Sequence, residues 1–258
     1  MKSIATPRLL SRSSGRVVFA AGALLAASLA PLSNRGSSGL ELEPTLVPRA
    51  DDDGETPFSY ARIYWEYNAS ANDLGVHVTL DGEDWTRLRI ENPCERTLFD
   101  VRGKGPYRNL GMTELFFEGA EPSLNEFRLE RLLALFPEGE YSFEGVTVDG
   151  DELESHHRFT HAIPAGPEVS ATVRGNDRLE IQWSEVTQPP RGFPRRPIHI
   201  TGYQVIVETF QVTLPATARS VTVPPEYVAT LAPGVHAFEV LAIERSGNQT
   251  LTEGEFTK

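Results

Sequence analysis

From Phe58 onward, apolar and polar residues alternate in short runs. ARIYWEY (61–67), VHVTL (76–80), WTRLRI (85–90), TLFDV (97–101) and TELFF (113–117) each place every second side chain on one face, the period-two pattern of half-buried strands. Short runs at regular spacing with turn residues between them predict a β-sandwich. Asp81-Gly82 and Asp149-Gly150 tolerate positive φ, and the second lies between YSFEGVTV and LESHHRFTH as a hairpin turn would. One segment departs from the pattern. Ser123-Leu124-Asn125-Glu126 reads as a capping box, and Phe127, Leu129, Leu132, Leu133 and Phe136 recur at helical spacing before Pro137. This predicts one short helix over 124–136 with its apolar face packed on the sheet.

IPAGPEV (163–169) carries two prolines and a glycine between two series of strands, which predicts a stiff joint near Pro164. Beyond it come LEIQW (179–183), ITGYQVIVE (200–208) and SVTVPPEYVATLAPGVHAFEVLAIERSGN (220–248). Trp183 in an early strand, Gly202-Tyr203 opening a middle strand, the turn Leu231-Ala232-Pro233-Gly234, and Ser246-Gly247-Asn248 between the last two strands stand out. On these residues the chain from about 165 to 258 resembles a fibronectin type III domain. The resemblance implies a sandwich with Trp183 between its sheets, and a role as a spacer or a protein- or carbohydrate-binding module without catalytic residues. His236 departs from it: the family usually has a tyrosine there, whose hydroxyl ties the corner to the backbone. Either His236 substitutes or the corner is weaker. A second departure is the insert QPPRGFPRRP (188–197), an exposed loop with PPII character. Its Arg191, Arg195 and Arg196 are either solvated or docked on an acidic partner or the acidic first domain.

The first thirty residues change the picture of location. Lys2, Arg8, Arg12 and Arg16 precede the apolar run Val17–Ala30 with no acid, the pattern of a secretory signal peptide and too short for a comfortable membrane span. Residues 31–56, rich in Ser, Gly, Pro and acid, read as a disordered acidic tether. Loss of residues 1–30 removes four of the 24 basic residues and none of the 36 acidic ones, leaving a net charge of −16. That charge repels phosphate backbones and argues against nucleic acid. The single cysteine, Cys94, excludes an intramolecular disulfide, so the core alone holds the fold. Arginine far outnumbers lysine, an imbalance associated with GC-rich bacterial coding.

The candidate chemistry is sparse. Glu66, Asn68, Ser70, Asn72 and Asp73 precede Gly75, and oxygen ligands in a short loop suit Ca²⁺. Asn68, Asn72 and Asp73 are the expected calcium ligands, against the alternative of an ordinary Asn-rich turn. His156, His157 and His161 would form a zinc site only with a ligand from a neighbouring strand, such as His77. Tyr64, Trp65, Tyr67 and Trp85 are either core or a platform for sugar rings. No nucleophile elbow, phosphate loop or HExxH helix is present.

The sequence therefore predicts an all-β exported protein: signal peptide 1–30, tether 31–56, a sandwich over 57–163 with one helix, and a fibronectin type III-like sandwich over 164–258. The expected role is a non-catalytic binding or adhesion module, periplasmic, secreted or at the cell surface, whose partner is a protein or polysaccharide. The expected alternatives are a carbohydrate-binding accessory protein and a structural spacer. No cofactor is expected other than calcium, and no membrane span after signal cleavage.

Overall fold

A computed structural model describes residues 56–175 and 177–258; the expected signal peptide and all but the last residue of the tether lie outside them. The protein is an all-β sandwich, as strand periodicity predicts. Among the described residues, thirteen strands and three short helices follow in order: β1 (Tyr60–Asn68), β2 (Asp73–Glu91), β3 (Thr97–Arg102), α1 (Tyr107–Leu110), β4 (Met112–Glu118), α2 (Leu129–Leu135), β5 (Gly139–Thr147), β6 (Glu152–Phe159), β7 (Val169–Arg174), β8 (Arg178–Trp183), β9 (Ile200–Val207), β10 (Phe210–Pro215), β11 (Ser220–Val223), α3 (Pro225–Val228), β12 (Val235–Glu244) and β13 (Gln249–Thr257). Among the described residues no helix is long and apolar enough to cross a membrane.

In the first half, alternation sends Ile63, Trp65 and Tyr67 of β1 and Leu74, Val76, Val78 and Leu80 of β2 into one core with Trp85, Leu88, Tyr141, Phe143 and Phe159. The expected break at Asp81-Gly82 does not occur. β2 runs through it as one strand of 19 residues, with a register shift between Asp81 and Trp85 against β4. Gly82 serves close approach instead of a turn: a Cβ there would lie 2.6 Å from the ring of Phe58. The slip lets one half of β2 pair with β1 and β4 and the other with β3 and β5. Asp149-Gly150 does form the β5–β6 turn, with Gly150 at φ 95°.

The helix is shorter than predicted. Ser123 caps only an isolated turn, its Oγ accepting from Asn125 N–H and its carbonyl from Glu126 and Phe127 N–H. Arg128 then takes an extended conformation and α2 begins at Leu129. The capping box is bound to a fixed segment, since Leu124 N–H donates to Asn72 O at 2.8 Å. Leu132 and Leu133 are buried against the core, so the apolar face packs as expected.

In the second half, β10-β9-β12-β13 faces the three-stranded sheet β11-β8-β7. Leu179, Ile181 and Trp183 from one sheet meet Tyr203, Val205, Phe238, Val240 and Phe256 from the other. These strands form a three-plus-four sandwich, and Trp183 lies 5.6 Å from the Tyr203 ring between its sheets. The corner is not lost. His236 Nε2 lies 2.8 Å from Ala232 O, four residues upstream, where a tyrosine hydroxyl would reach.

The two cores share a sheet. β1 pairs in parallel with β13, Glu66 opposite Gln249 and Asn68 opposite Leu251, so ten strands form one hydrogen-bonded sheet. Asn248, 1% exposed, closes the seam. Its Oδ1 accepts from Trp65 N–H at 2.9 Å and its Nδ2 donates to Thr160 O at 2.9 Å and Ala162 O at 3.1 Å.

Candidate functional site

With Ile63, Trp65 and Tyr67 pointing into the core, the alternate residues Tyr64 and Glu66 of β1 and Gly75 and His77 of β2 share the opposite face. The pairing places Glu66 opposite Gly75 and Tyr64 opposite His77. Gln249 enters from β13 across the seam. Gly75 leaves a gap in this face, and Glu121 lies across it: a Cβ at 75 would sit 2.5 Å from Glu121 Cγ. Glu121 belongs to the segment after β4, which is tied down by Gly119 N–H to Val76 O at 2.8 Å and by Leu124 N–H to Asn72 O.

The result is an imidazole between two carboxylates. His77 Nε2 is 2.9 Å from Glu121 Oε1, and Nδ1 is 3.8 Å from Glu66 Oε2. Gln249 Nε2 donates to Glu66 Oε2. One ligand atom each from Glu66, His77 and Glu121 lies within 4.8 Å of the others. The His77 side chain is 1% exposed and that of Glu121 30%, so the cluster opens to water on the Glu121 side.

Burial holds the Glu66 carboxyl above its ordinary range, partly offset by His77 and Gln249. Burial pulls the His77 imidazole down, but the Glu121 hydrogen bond and the charges of Glu66, Glu121 and Glu118 outweigh it and raise the group. On β12, burial together with Glu66 and Glu253 pushes Glu239 up to about 7. Among the described residues, no arginine or lysine forms an ion pair with Glu66, Glu118, Glu121 or Glu239. The region gathers one buried and several partly or fully exposed carboxylates around one buried histidine, a donor set suited to a cation.

The residues expected from sequence lie elsewhere. Asn68 and Asn72 flank the β1–β2 turn. Asn68 Oδ1 accepts from Ser70 and Ala71 N–H, and its Nδ2 donates to Glu253 at 2.8 Å. Asn72, at φ 56°, accepts from Tyr67 Oη and donates to Asn125, both at 3.0 Å. Asp73 opens β2 opposite Asn68. Their amide oxygens are thus already occupied by hydrogen bonds of the turn.

The three histidines do not converge. His156 pairs with Glu154 at 3.0 Å, His157 Nδ1 accepts from Ile63 N–H at 3.5 Å, and His161 Nε2 bonds Phe136 O at 2.9 Å. The aromatic platform is overturned. Tyr64, Trp65, Tyr67 and Trp85 are 7%, 0%, 8% and 1% exposed, because the strand faces they occupy are both covered. In the 188–197 loop Arg196 bonds Glu138 at 2.5 Å and the Phe193 ring lies 4.9 Å from Tyr67, so the loop docks on the first half. Arg191 and Arg195 are exposed. Cys94 is an exposed free thiol. Sequence reasoning missed Glu121; the signal available was Gly75, a glycine inside a strand, which marks a close approach.

No protein-family model matches the chain, and no curated protein matches it. Among solved structures it is similar to the spore cortex lytic enzyme SleM of Clostridium perfringens, at 16% identity and TM-score 0.30 over 37% of this chain and 28% of that one. It is also similar to a two-domain fibronectin type III segment of chicken tenascin, at 11% identity and TM-score 0.26 over 77% and 98% of the two chains. A tandem repeat from the extending region of a large adhesion protein aligns at 12% identity and TM-score 0.25 over 77% and 49%. Likenesses this distant assign neither an activity nor a partner.

Proposed function

We propose that the protein is an exported, non-catalytic binding or adhesion module, acting in the periplasm, at the cell surface or as a secreted protein. In this reading residues 57–163 and 164–258 are its two sandwich domains, the second fibronectin type III-like. The observation that carries it is where the perturbed groups are held. His77 bonds only carboxylates and the glutamine-held Glu66 lies behind it. His157 is bonded to backbone. Among the described residues no hydroxyl or thiol is hydrogen-bonded to either imidazole, whereas acid–base or nucleophilic catalysis needs such groups converging on a substrate. A groove of about 380 Å³ lies between β2, β5 and β6, and its Arg89 already pairs with Glu144. What remains outward is a broad sheet surface of paired charges, suited to a protein or polysaccharide partner.

The test is retention on surfaces. Beads carrying the full chain should be held on bacterial cells above beads carrying a β-sandwich of equal charge, with no turnover of peptide or glycan substrates. Turnover abolished by Glu66→Gln or His77→Gln would overturn the reading, and retention no greater than the control would leave a structural spacer instead.

A further inference from the structure

We propose that Glu66, His77 and Glu121 bind a divalent metal ion of the zinc or manganese class, with Gln249 holding Glu66 in place. Imidazole and carboxylate together suit these ions, whereas Ca²⁺ and Mg²⁺ favour oxygen alone. Three ligand atoms already lie within 4.8 Å of one another. Ligands at ~2.0–2.2 Å from a tetrahedral ion stand ~3.3–3.6 Å apart, so the 2.9 Å His77–Glu121 pair opens slightly and the wider separations close, changes that side-chain rotation supplies.

Three features set this cluster apart from a chance grouping of surface acids. First, its members come from separate elements, β1, β2 and the segment after β4, each fixed by backbone hydrogen bonds. Second, Gly75 leaves the space that Glu121 fills, so any other residue there would push the third ligand away. Third, Glu66 has an amide donor from Gln249, the kind of outer contact that orients a metal-bound carboxylate. One buried carboxylate, Glu66, and one partly exposed, Glu121, face one histidine, and among the described residues neither pairs with an arginine or lysine. A divalent ion offsets that charge, and the partly open Glu121 side leaves room for a water as fourth ligand.

The ion would link the segment carrying Glu121 to β1 and β2 and, through Glu66 and Gln249, to β13. It acts here as a staple beside the seam and supplies no chemistry. This inference does not depend on the binding-module reading, since it concerns the ion alone.

The experiment is titration of Zn²⁺ and Mn²⁺ into chelator-stripped full chain by calorimetry, with Tm followed in parallel. Expected are one ion per chain, a raised Tm, and affinity weakened at least about tenfold by Glu121→Gln. Glu121 is partly exposed, so this variant should keep its fold, and near-ultraviolet dichroism like that of the wild type would establish it. His156→Ala, which removes the exposed histidine beside Glu140 and Glu154, should leave binding unchanged. Substitution by Co²⁺ should give visible bands of nitrogen and oxygen coordination without a thiolate charge-transfer band. No binding, binding that survives Glu121→Gln in a folded variant, or loss of binding in His156→Ala would overturn the proposal.

Discussion

His236 and His157 respond to their surroundings in opposite directions. His236 faces two acceptors, Ala232 O and Glu208 Oε1 at 3.1 Å, and those bonds raise its affinity for a proton. Its stabilisation is therefore complete below the ordinary histidine range and fades as pH rises through the raised folded value. His157 is pushed down to about 4 by burial and by Arg62, with backbone bonds at Ser246 and Ile63 only partly offsetting them. The folded state holds it neutral, so its contribution is complete above ~6.5 and falls as pH drops toward 4, by about 3 kcal/mol in all. Urea unfolding across this range checks both: His157→Gln should flatten the acid limb relative to wild type, and His236→Gln should remove the loss on the neutral side. At Trp183 the indole N–H has no partner. Trp183→Ala should cost ~3–5 kcal/mol while Trp183→Phe costs much less, because no hydrogen bond is lost; denaturant midpoints distinguish them.

At the scale of elements, what was legible was local. Alternation along 61–67, 76–80 and 113–117 depends only on side-chain period, and those runs lie in strands. Trp183 lies between two sheets and His236 bonds the backbone at its corner, both contacts expected from those residues. What failed was decided by distant contacts. Asp81-Gly82 carries turn chemistry, yet Phe58 packs over Gly82 and pairing with β4 carries the strand through. Ser123 and Glu126 have helix-start chemistry, yet Asn72 holds the segment down first. The Glu66–His77–Glu121 cluster was invisible for the same reason, since Glu121 is 44 residues from His77 in sequence. Gly75→Ala tests that geometry. A methyl group there meets the Glu121 side chain, so about 1–3 kcal/mol of stability should be lost through overpacking. In Gly75→Ala/Glu121→Ala much of it should return, and a double-mutant cycle reads the coupling.

For the whole molecule, Ile163 is buried in the first core and Ala165 packs on the second, while Phe193 from the later loop returns to the first. Short-range signals did not show the seam, because Trp65 and Asn248 are 183 residues apart. The parallel pairing of β1 with β13, with Asn248 bonded to Trp65, Thr160 and Ala162, ties the two cores into one sheet. Asn248→Ala would leave Trp65 N–H, Thr160 O and Ala162 O, all on the first half's side of the seam, without this partner, at a cost of about 3 kcal/mol. A hinged pair of sandwiches would transmit little of that loss, whereas a welded pair loses cooperativity throughout. Differential scanning calorimetry of the full chain tests this most directly. One transition is expected, with calorimetric and van't Hoff enthalpies that agree, lowered but still single in Asn248→Ala. Two separable transitions in the wild-type chain would contradict it.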